Sequence, residues 1–304
     1  MHVIEVSELG GPEVLRWVER PQPVPAAGEL VVRVAAANVN PTDLGARVGR
    51  FPRGAVAPPF VLGWDLAGTV AALGAGVEDF AVGDRVVGMI HWYDEDGKRG
   101  AYAEQVAVKP AWLVPLPPEL GEQEAATVPL NALTADQGLA LLDLTPASTL
   151  LVTGASGAVG SFTVQLAARA GHRVIAIAGR DDEAWPARLG ASVVLPRDAD
   201  LAGVGPVDAL FDAVPIGAGA AHAVRDGGAI VTVRSRDTDE PGRGIRKQPF
   251  LIHHDRERMR ELIADVSAGR LLTRVAQTVP LADAAKAHRL VEAGGLHGKV
   301  VLVS

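Results

Sequence analysis

Residues Val152 to Ser161 read Val-Thr-Gly-Ala-Ser-Gly-Ala-Val-Gly-Ser, and they constrain the fold more than any other stretch of the chain. The apolar run Leu150-Leu151-Val152 leads into three glycines, Gly154, Gly157 and Gly160. A helical pattern follows at once in Val159, Phe162, Leu166 and Ala170, with Gly171 just past its end. A second apolar run, Val174-Ile175-Ala176-Ile177-Ala178, completes a strand–turn–helix–strand unit. Beyond Ala178 strands and helices keep alternating, a pattern that implies a parallel sheet with helices on both faces.

The glycines are spaced G-x-x-G-x-x-G rather than G-x-G-x-x-G, so the context carries the reading. A turn of this kind presents backbone N–H groups and a helix N-terminus to a diphosphate, which makes a dinucleotide the first candidate ligand. The expected cradle is Gly154, Ala155, Ser156, Gly157, Ala158, Val159 and Gly160. Ligands of such sheets bind outside the carboxyl ends of the strands, which adds Val214 and Val233. The other reading of the loop is a glycine turn with no ligand. No Gly-Lys-Ser/Thr follows, which argues against an ATP-type phosphate loop.

An acidic residue about 20 positions after the glycine loop would select NADH by accepting the ribose 2′-OH. Counting on from Gly160 reaches Arg180, preceded by Gly179, which gives the backbone room to approach. A cation there suits a 2′-phosphate and favours NADPH over NADH. Asp181 and Asp182 would repel that phosphate; their expected role is to cap a short helix over Glu183–Leu189.

With 304 residues the chain is long enough for two domains, and with 48% hydrophobic and 21% charged residues it has ordinary globular composition. Net charge is −7, and the densest basic stretch, Arg234 to Lys247, is interrupted by Asp237, Asp239 and Glu240 and reads as a solvated loop. No nucleic-acid partner is expected. The absence of cysteine excludes disulfides, thiolate zinc sites and cysteine nucleophiles. No signal-peptide pattern opens the chain and no apolar run approaches the ~20 residues of a membrane span, so a soluble, cytoplasmic protein with no membrane partner is expected.

Up to Pro115-Leu116-Pro117-Pro118 the chain is rich in short strands, including Leu30–Ala36, Val61–Ala72 and Arg85–Met89. Thereafter the expected elements are helices at Glu122–Ala126 and Leu133–Leu142 and strands at Thr149–Thr153, Val174–Ala178, Ser192–Leu195, Val207–Val214 and Ala229–Val233. A helix near Asp255 with Met259, Leu262, Ile263 and Val266 on one face follows, then a strand around Arg274–Val279, a helix Asp283–Ala293 and a last strand Val300–Val303. His253 and His254 read as loop residues ahead of an Asp255 N-cap. A β-rich part joined to a doubly wound part predicts a substrate cleft between domains.

Five stretches carry a family resemblance: Val39-Asn40-Pro41-Thr42-Asp43, Leu62 to Val70, Val82-Gly83-Asp84-Arg85-Val86, Gly154 to Gly160, and Gly298-Lys299-Val300-Val301-Leu302. In these the chain resembles the medium-chain dehydrogenase/reductases, and more narrowly their zinc-independent quinone oxidoreductase (zeta-crystallin-like) branch. The resemblance implies an α/β protein: a GroES-like β-rich catalytic domain from 1–121 and 271–304 around a Rossmann doubly wound parallel-sheet domain from 122–270. It also implies reduction of a quinone or of a C=C bond conjugated to a carbonyl, a homodimer, and a place for Lys299 in the cofactor-binding set. Zinc members hold the catalytic metal partly through a Gly-His-Glu segment and a cysteine. Here that segment is Gly63-Trp64-Asp65 and cysteine is absent, so no metal is expected.

Without a Lewis acid, an alkoxide is hard to handle, whereas a quinone or enone spreads the charge that hydride brings. The protein then supplies positioning, a dry pocket and donors at the carbonyl oxygen. Asn40 can donate through its amide, or Asn40 and Asp43 can cap a turn around Pro41. Tyr93, in the polar stretch Trp92–Gly100 that reads as a lid, is the expected proton donor, whereas Tyr102 reads as structural. Arg50, Phe51, Trp64 and Thr134 are the expected pocket residues, with core packing as the other reading of the aromatics. Three functions share this loop: a quinone or enone reductase, an enoyl-thioester reductase, and a non-catalytic NADPH-binding sensor or crystallin.

Overall fold

The computed structural model describes residues 1–50, 56–95, 97–214, 218–233 and 242–304. The chain forms two compact units. Unit 1 comprises Met1–Leu130, His254–Arg270 and Arg274–Ser304, and unit 2 comprises Asn131–His253 with Leu271–Thr273.

Unit 1 opens with β1 (His2–Val6), β2 (Leu15–Glu19), β3 (Leu30–Asn38), α1 (Pro41–Arg47), β4 (Phe60–Val61), β5 (Asp65–Leu73), β6 (Arg85–Met89), β7 (Gln105–Val108), β8 (Leu113–Pro115) and α2 (Glu122–Ala125). Helix α3 (Pro129–Leu142) follows. Unit 2 continues with β9 (Thr149–Thr153), α4 (Ala158–Arg169), β10 (Arg173–Ala178), α5 (Ala184–Arg188), β11 (Val193–Pro196), β12 (Val207–Asp212), α6 (Ala218–His222), β13 (Val224–Thr232) and β14 (Arg246–Pro249). The chain then returns to unit 1 as α7 (Arg256–Ser267), β15 (Val275–Pro280), α8 (Ala284–Ala293) and β16 (Lys299–Val303).

Among the described residues, unit 2 carries one all-parallel sheet in the order β11-β10-β9-β12-β13-β14. This is the doubly wound order, with its switch point between β9 and β12. Successive residues of each strand serve opposite faces. Leu150, Val152, Val174, Ala176, Phe211 and Val231 join Val164 and Ala167 of α4 in one buried cluster. Leu151, Ile175, Ile177, Leu210 and Ile230 join Ala220 of α6 in another. Both faces are covered, so these strands read as unbroken apolar runs. Strand β14 is hidden in the basic stretch expected as a loop: it is an edge strand with Arg246 and Lys247 in register with Ala229 and Ile230, and an edge needs no apolar alternation. Residues 234–241 of that stretch lie outside the described residues.

In unit 1, β3 is the hub of a sheet ordered β15-β16-β3-β5-β6-β8, with β7 also on β3. A smaller sheet, β2-β1-β4, completes the described strands. Relative to the expected boundaries, residues 122–130 and 254–270 go with unit 1. Helix α7 is tied there by Arg256, whose guanidinium donates to the Leu113 carbonyl at 2.9 Å and pairs with Asp79 at 2.9 Å. Met259, Leu262, Ile263 and Val266 of α7 are buried, and Asp255 is its N-cap, accepting the Arg258 N–H at 2.9 Å. Asp255→Ala is expected to cost about 1 kcal/mol, read as a lower urea midpoint with an unchanged slope.

The expected cap of α5 by Asp181 and Asp182 is not what the structure shows. The N-cap is Glu183, in helical conformation and without a side-chain cap bond. Asp182 instead takes part in a tight turn, its N–H donating to the Gly179 carbonyl at 2.9 Å.

Candidate functional site

The glycine loop of unit 2 is built by three separate constraints. Gly154 has φ +58°, and a Cβ there would lie 2.5 Å from a methyl of Val214. A Cβ on Gly160 would drive into the Gly154 carbonyl and lie 2.8 Å from the Ala155 Cα, so the helix can approach the loop only without a side chain. Gly157 is different: a Cβ there would meet only the Gly154 carbonyl, at 3.2 Å. It is the N-cap of α4, extended at φ −75° and ψ 169°, and no side chain caps the helix. The first-turn N–H groups of Ala158, Val159 and Gly160 therefore have no intrahelical partner, and the positive end of the helix dipole is left with them. An anion fits here.

The strand ends beside the loop are locked together. Thr153 Oγ1 donates to Asp212 Oδ1 at 2.7 Å and accepts the Val214 N–H at 3.2 Å, and Val233 N–H donates to the Asp212 carbonyl at 3.2 Å. Val214 and Val233 thus sit at the carboxyl ends of β12 and β13. Ala155 is buried and its N–H belongs to the Ile177 carbonyl at 3.0 Å, so in the cradle it is a packing residue. Gly179 and Arg180 follow β10 directly. Arg180 is exposed and makes a two-pronged ion pair with Asp198 at 2.9 and 2.8 Å, which raises its pKa.

In unit 1 the motif residues converge on a buried polar network. Asn40 is the N-cap of α1, and its N–H donates to the Asp43 carboxylate at 2.8 Å. The structure shows these two residues in the capping arrangement that their sequence allows. The Asn40 side chain continues the network: its amide donates to Asp65 Oδ2 at 2.7 Å, and its oxygen accepts from Asn38 at 3.0 Å and from Lys299 Nζ at 2.9 Å. Asp65 also accepts from Asn38 at 3.1 Å and, on its other oxygen, from the Leu130 N–H at 2.7 Å. Asn38, Asn40, Asp43 and Asp65 are all buried, and Lys299 is 9% exposed. Lys299, expected among the cofactor residues, has its ammonium inside this network.

Burial dominates the electrostatics. It pushes Asp43 up to about 7 and Asp65 up to about 6 against the donors that favour their ionised forms. It pulls Lys299 down to about 8 against the attraction of Asp65 and Asp43. A second chain of bonds reaches the same carboxylate. Arg47 can only donate, so His288 Nδ1 accepts from it at 3.0 Å, and the ring proton sits on Nε2, facing Tyr102 Oη at 3.2 Å. Tyr102 in turn donates to Asp43 at 3.5 Å. Burial and the neighbouring guanidinium hold His288 down at about 3, which keeps the ring neutral. Tyr102, read as structural, is fully buried and packs on Gly63, where φ is +108° and a Cβ would lie 2.6 Å from the phenol ring.

The network carries the Gly63-Trp64-Asp65 segment, and Trp64 opens an aromatic cluster. Its ring lies 5.1 Å from Tyr93, 5.7 Å from His91 and 6.4 Å from Trp92, centroid to centroid. Trp64 is buried and Tyr93 half-buried. The stretch expected as a lid is anchored: Trp92 is fully buried and stacked on Phe60, and the Val61 N–H donates to the Gly97 carbonyl at 2.7 Å. Arg50 is exposed, with its N–H on the Gly45 carbonyl at 2.7 Å. Phe51 lies outside the described residues. Thr134 is a buried residue of α3.

A catalytic zinc does not fit the residues at Gly63-Trp64-Asp65. Trp64 offers no metal-ligating atom, both Asp65 oxygens are already held by N–H donors, and the chain has no cysteine. Among the described residues no group of three or more His, Asp or Glu side chains is placed to hold a metal ion. No helix among them is long and apolar enough to cross a membrane.

Comparison with known proteins agrees with this architecture. The alcohol dehydrogenase GroES-like domain matches residues 26–118, and the zinc-binding dehydrogenase family matches residues 189–302. The chain is similar to the quinone oxidoreductase of Coxiella burnetii, at 29% identity and TM-score 0.90, over 100% of this chain and 99% of that one. It is similar to a mycobacterial protein solved in complex with NADPH, at 30% identity and TM-score 0.86 over 100% of both chains. Among curated proteins it is 28% identical to the chloroplastic NADPH-dependent alkenal/one oxidoreductase of Arabidopsis thaliana, over 97% of this chain and 78% of that protein. The chain spans 52% and 60% of the length of the first two curated relatives it matches.

Proposed function

The chain belongs to the medium-chain dehydrogenase/reductase family, and from that premise we propose that it is an NADPH-dependent, zinc-free reductase of quinones or α,β-unsaturated carbonyls. The observation that carries the choice of acceptor is Trp64. An aromatic side chain, backed by a saturated carboxylate, occupies the segment in which a metal-dependent relative needs ligands. An aromatic wall favours a flat, electron-poor acceptor.

When bound, the nicotinamide cofactor supplies the hydride. The protein's share is to hold and protonate. The N–H groups of Ala158, Val159 and Gly160 hold the diphosphate, Gly157 leaves it room, and Arg180 binds the 2′-phosphate by exchanging its partner Asp198. Trp64 lines the acceptor side with Tyr93, whose Oη gives the proton that follows the hydride. Asn40, Asp43 and Lys299 hold the Trp64 segment in place from behind.

Purified protein is expected to oxidise NADPH with an ortho-quinone or an alkenal and to be slower with a short enoyl-thioester. Tight NADPH binding with no turnover on any of the three would favour a binding protein instead. Arg180→Ala is expected to weaken NADPH binding about 10- to 100-fold while leaving NADH binding within about twofold, since one charge-assisted contact is lost. Titration calorimetry with both cofactors checks this, and equal losses for the two would remove Arg180 from the 2′-phosphate site.

A further inference from the structure

His91 follows β6 closely and belongs to no motif, yet it stands at the centre of a column of stacked rings in unit 1. Tyr93 lies on one side, with ring centroids 5.5 Å apart and planes 22° from parallel. His254, from the segment ahead of α7, lies 4.0 Å away at 26°. Trp112 stacks beyond His254 at 5.5 Å and 8°. Trp64 meets His91 edge-on, at 5.7 Å between centroids. On one edge of this ring, His91 Nδ1 is 3.4 Å from Tyr93 Oη and 3.5 Å from Asp94 Oδ2. His91 itself is 8% exposed, whereas the Asp94 side chain is 46% exposed.

We infer that His91 is a positioning residue for Tyr93: its Nδ1 orients the phenol and returns a proton to it from solvent by way of the Asp94 side. The inference rests on reading Tyr93 as the proton donor. A phenol that gives its proton to an enolate or quinol anion must be recharged before the next turnover, and imidazole is the side chain that exchanges protons near neutral pH. Among the described residues, the charged and titratable groups in the contacts of this stack include Tyr93 and Asp94 on the same turn as His91, His254 stacked on it, and Lys109 over Trp112. An imidazolium at His91 would face the Asp94 carboxylate and the π-face of Tyr93. The second imidazole at 4.0 Å opposes a second charge, so the relay carries one added proton at a time.

The balance is simple. The acceptor, reduced by hydride, carries a negative charge; the Tyr93 O–H bond breaks and its proton joins the acceptor. The phenolate takes the Nδ1 proton of the His91 imidazolium, leaving a neutral ring protonated on Nε2. Water then returns a proton to Nδ1. No electrons move between groups in these steps.

The test uses the full chain. His91→Gln keeps polar atoms but cannot titrate. With an ortho-quinone acceptor it is expected to lower kcat about 100-fold with the acceptor KM within about twofold, and to erase the fall in kcat with rising pH that the wild type shows as the imidazolium is lost. In cofactor-free protein with isotope-labelled histidines, the His91 ring resonances are expected to titrate and to move in both Tyr93→Phe and His254→Phe. An unchanged kcat–pH profile in His91→Gln overturns the relay while leaving the reductase reading intact. Absence of wild-type turnover overturns that reading, and the relay with it. If His91→Gln does not fold, a His91 titration unmoved by Tyr93→Phe overturns the relay on its own.

Discussion

Replacing Lys299 by Met is expected to cost unit 1 about 3–5 kcal/mol at pH 8 and much less at pH 5. The substitution keeps the length of the side chain and removes the cation placed beside Asp43 and Asp65 in their buried network. At pH 8 both carboxylates are largely ionised while Lys299, lowered to about 8, still carries its charge in about half of the molecules, and a buried carboxylate that loses its counter-charge is strongly destabilising. At pH 5 the sign of the linkage works the other way. Both carboxyls have folded values raised above their ordinary one, to about 7 and about 6, so the folded state binds more protons than the unfolded state between about 4 and 7. Stability from this pair therefore grows as pH falls through that window. Lys299, lowered to about 8, costs stability as pH falls from its ordinary range through 8, and that limb is absent in the variant. Urea titrations of wild type and variant at pH 5 and pH 8 check this; an equal loss at both pH values would mean that packing, not charge, is what Lys299 contributes.

Gly157→Asp is expected to lower NADPH affinity at least about 100-fold while leaving thermal stability unchanged or slightly raised. The two effects have one cause. Gly157 is an N-cap whose Cβ would meet only the Gly154 carbonyl at 3.2 Å, so a side chain fits with a small adjustment. An aspartate at an N-cap accepts a first-turn N–H and adds charge at the favourable end of the dipole, worth about 1 kcal/mol to the helix. The same carboxylate occupies the place proposed for the diphosphate and repels it. Gly160→Ala makes the contrast, since its Cβ would strike the loop backbone and cost stability outright. Calorimetric NADPH titration and a thermal scan of both variants read the two effects. Full cofactor affinity in Gly157→Asp would remove the helix N-terminus from the cofactor site.

The doubly wound unit is legible in the sequence because its strands bury both faces and its first turn is written in glycine. The Asp255 cap is legible because it is local. Strand β14 is not, because an edge strand in a basic stretch has neither apolar alternation nor a turn signal. The acids at 181 and 182 mislead for the opposite reason: they carry the cap chemistry, but the helix begins later, after a Glu183 already in helical conformation. The buried network is the least legible part. Asn40 and Asp43 form a local capping pair that sequence can propose, but Asp65, Tyr102, His288 and Lys299 reach them only through pairings of distant strands and helices. The same holds for His254, whose loop position ahead of α7 is plain from the Asp255 cap while its stacking on His91 has no signature.

Unit 1 is written in three pieces of sequence, and its hub strand must wait for the last of them. Ala36, Ala37 and Asn38 pair with Val303, Leu302 and Val301, and Lys299 reaches Asn40 across 259 positions. During synthesis, the residues of unit 2 leave the ribosome before that edge of β3 can be closed. Asp43 and Asp65 exist for most of translation without the ammonium that accompanies them in the finished sheet. The nascent first segment is thus a sheet with one open edge and two carboxyls that stay hydrated or protonated until β16 arrives. Closure of the sheet and arrival of the counter-charge are a single late event, which makes the rate of folding of this unit, and its exposure to edge-to-edge aggregation, dependent on β16.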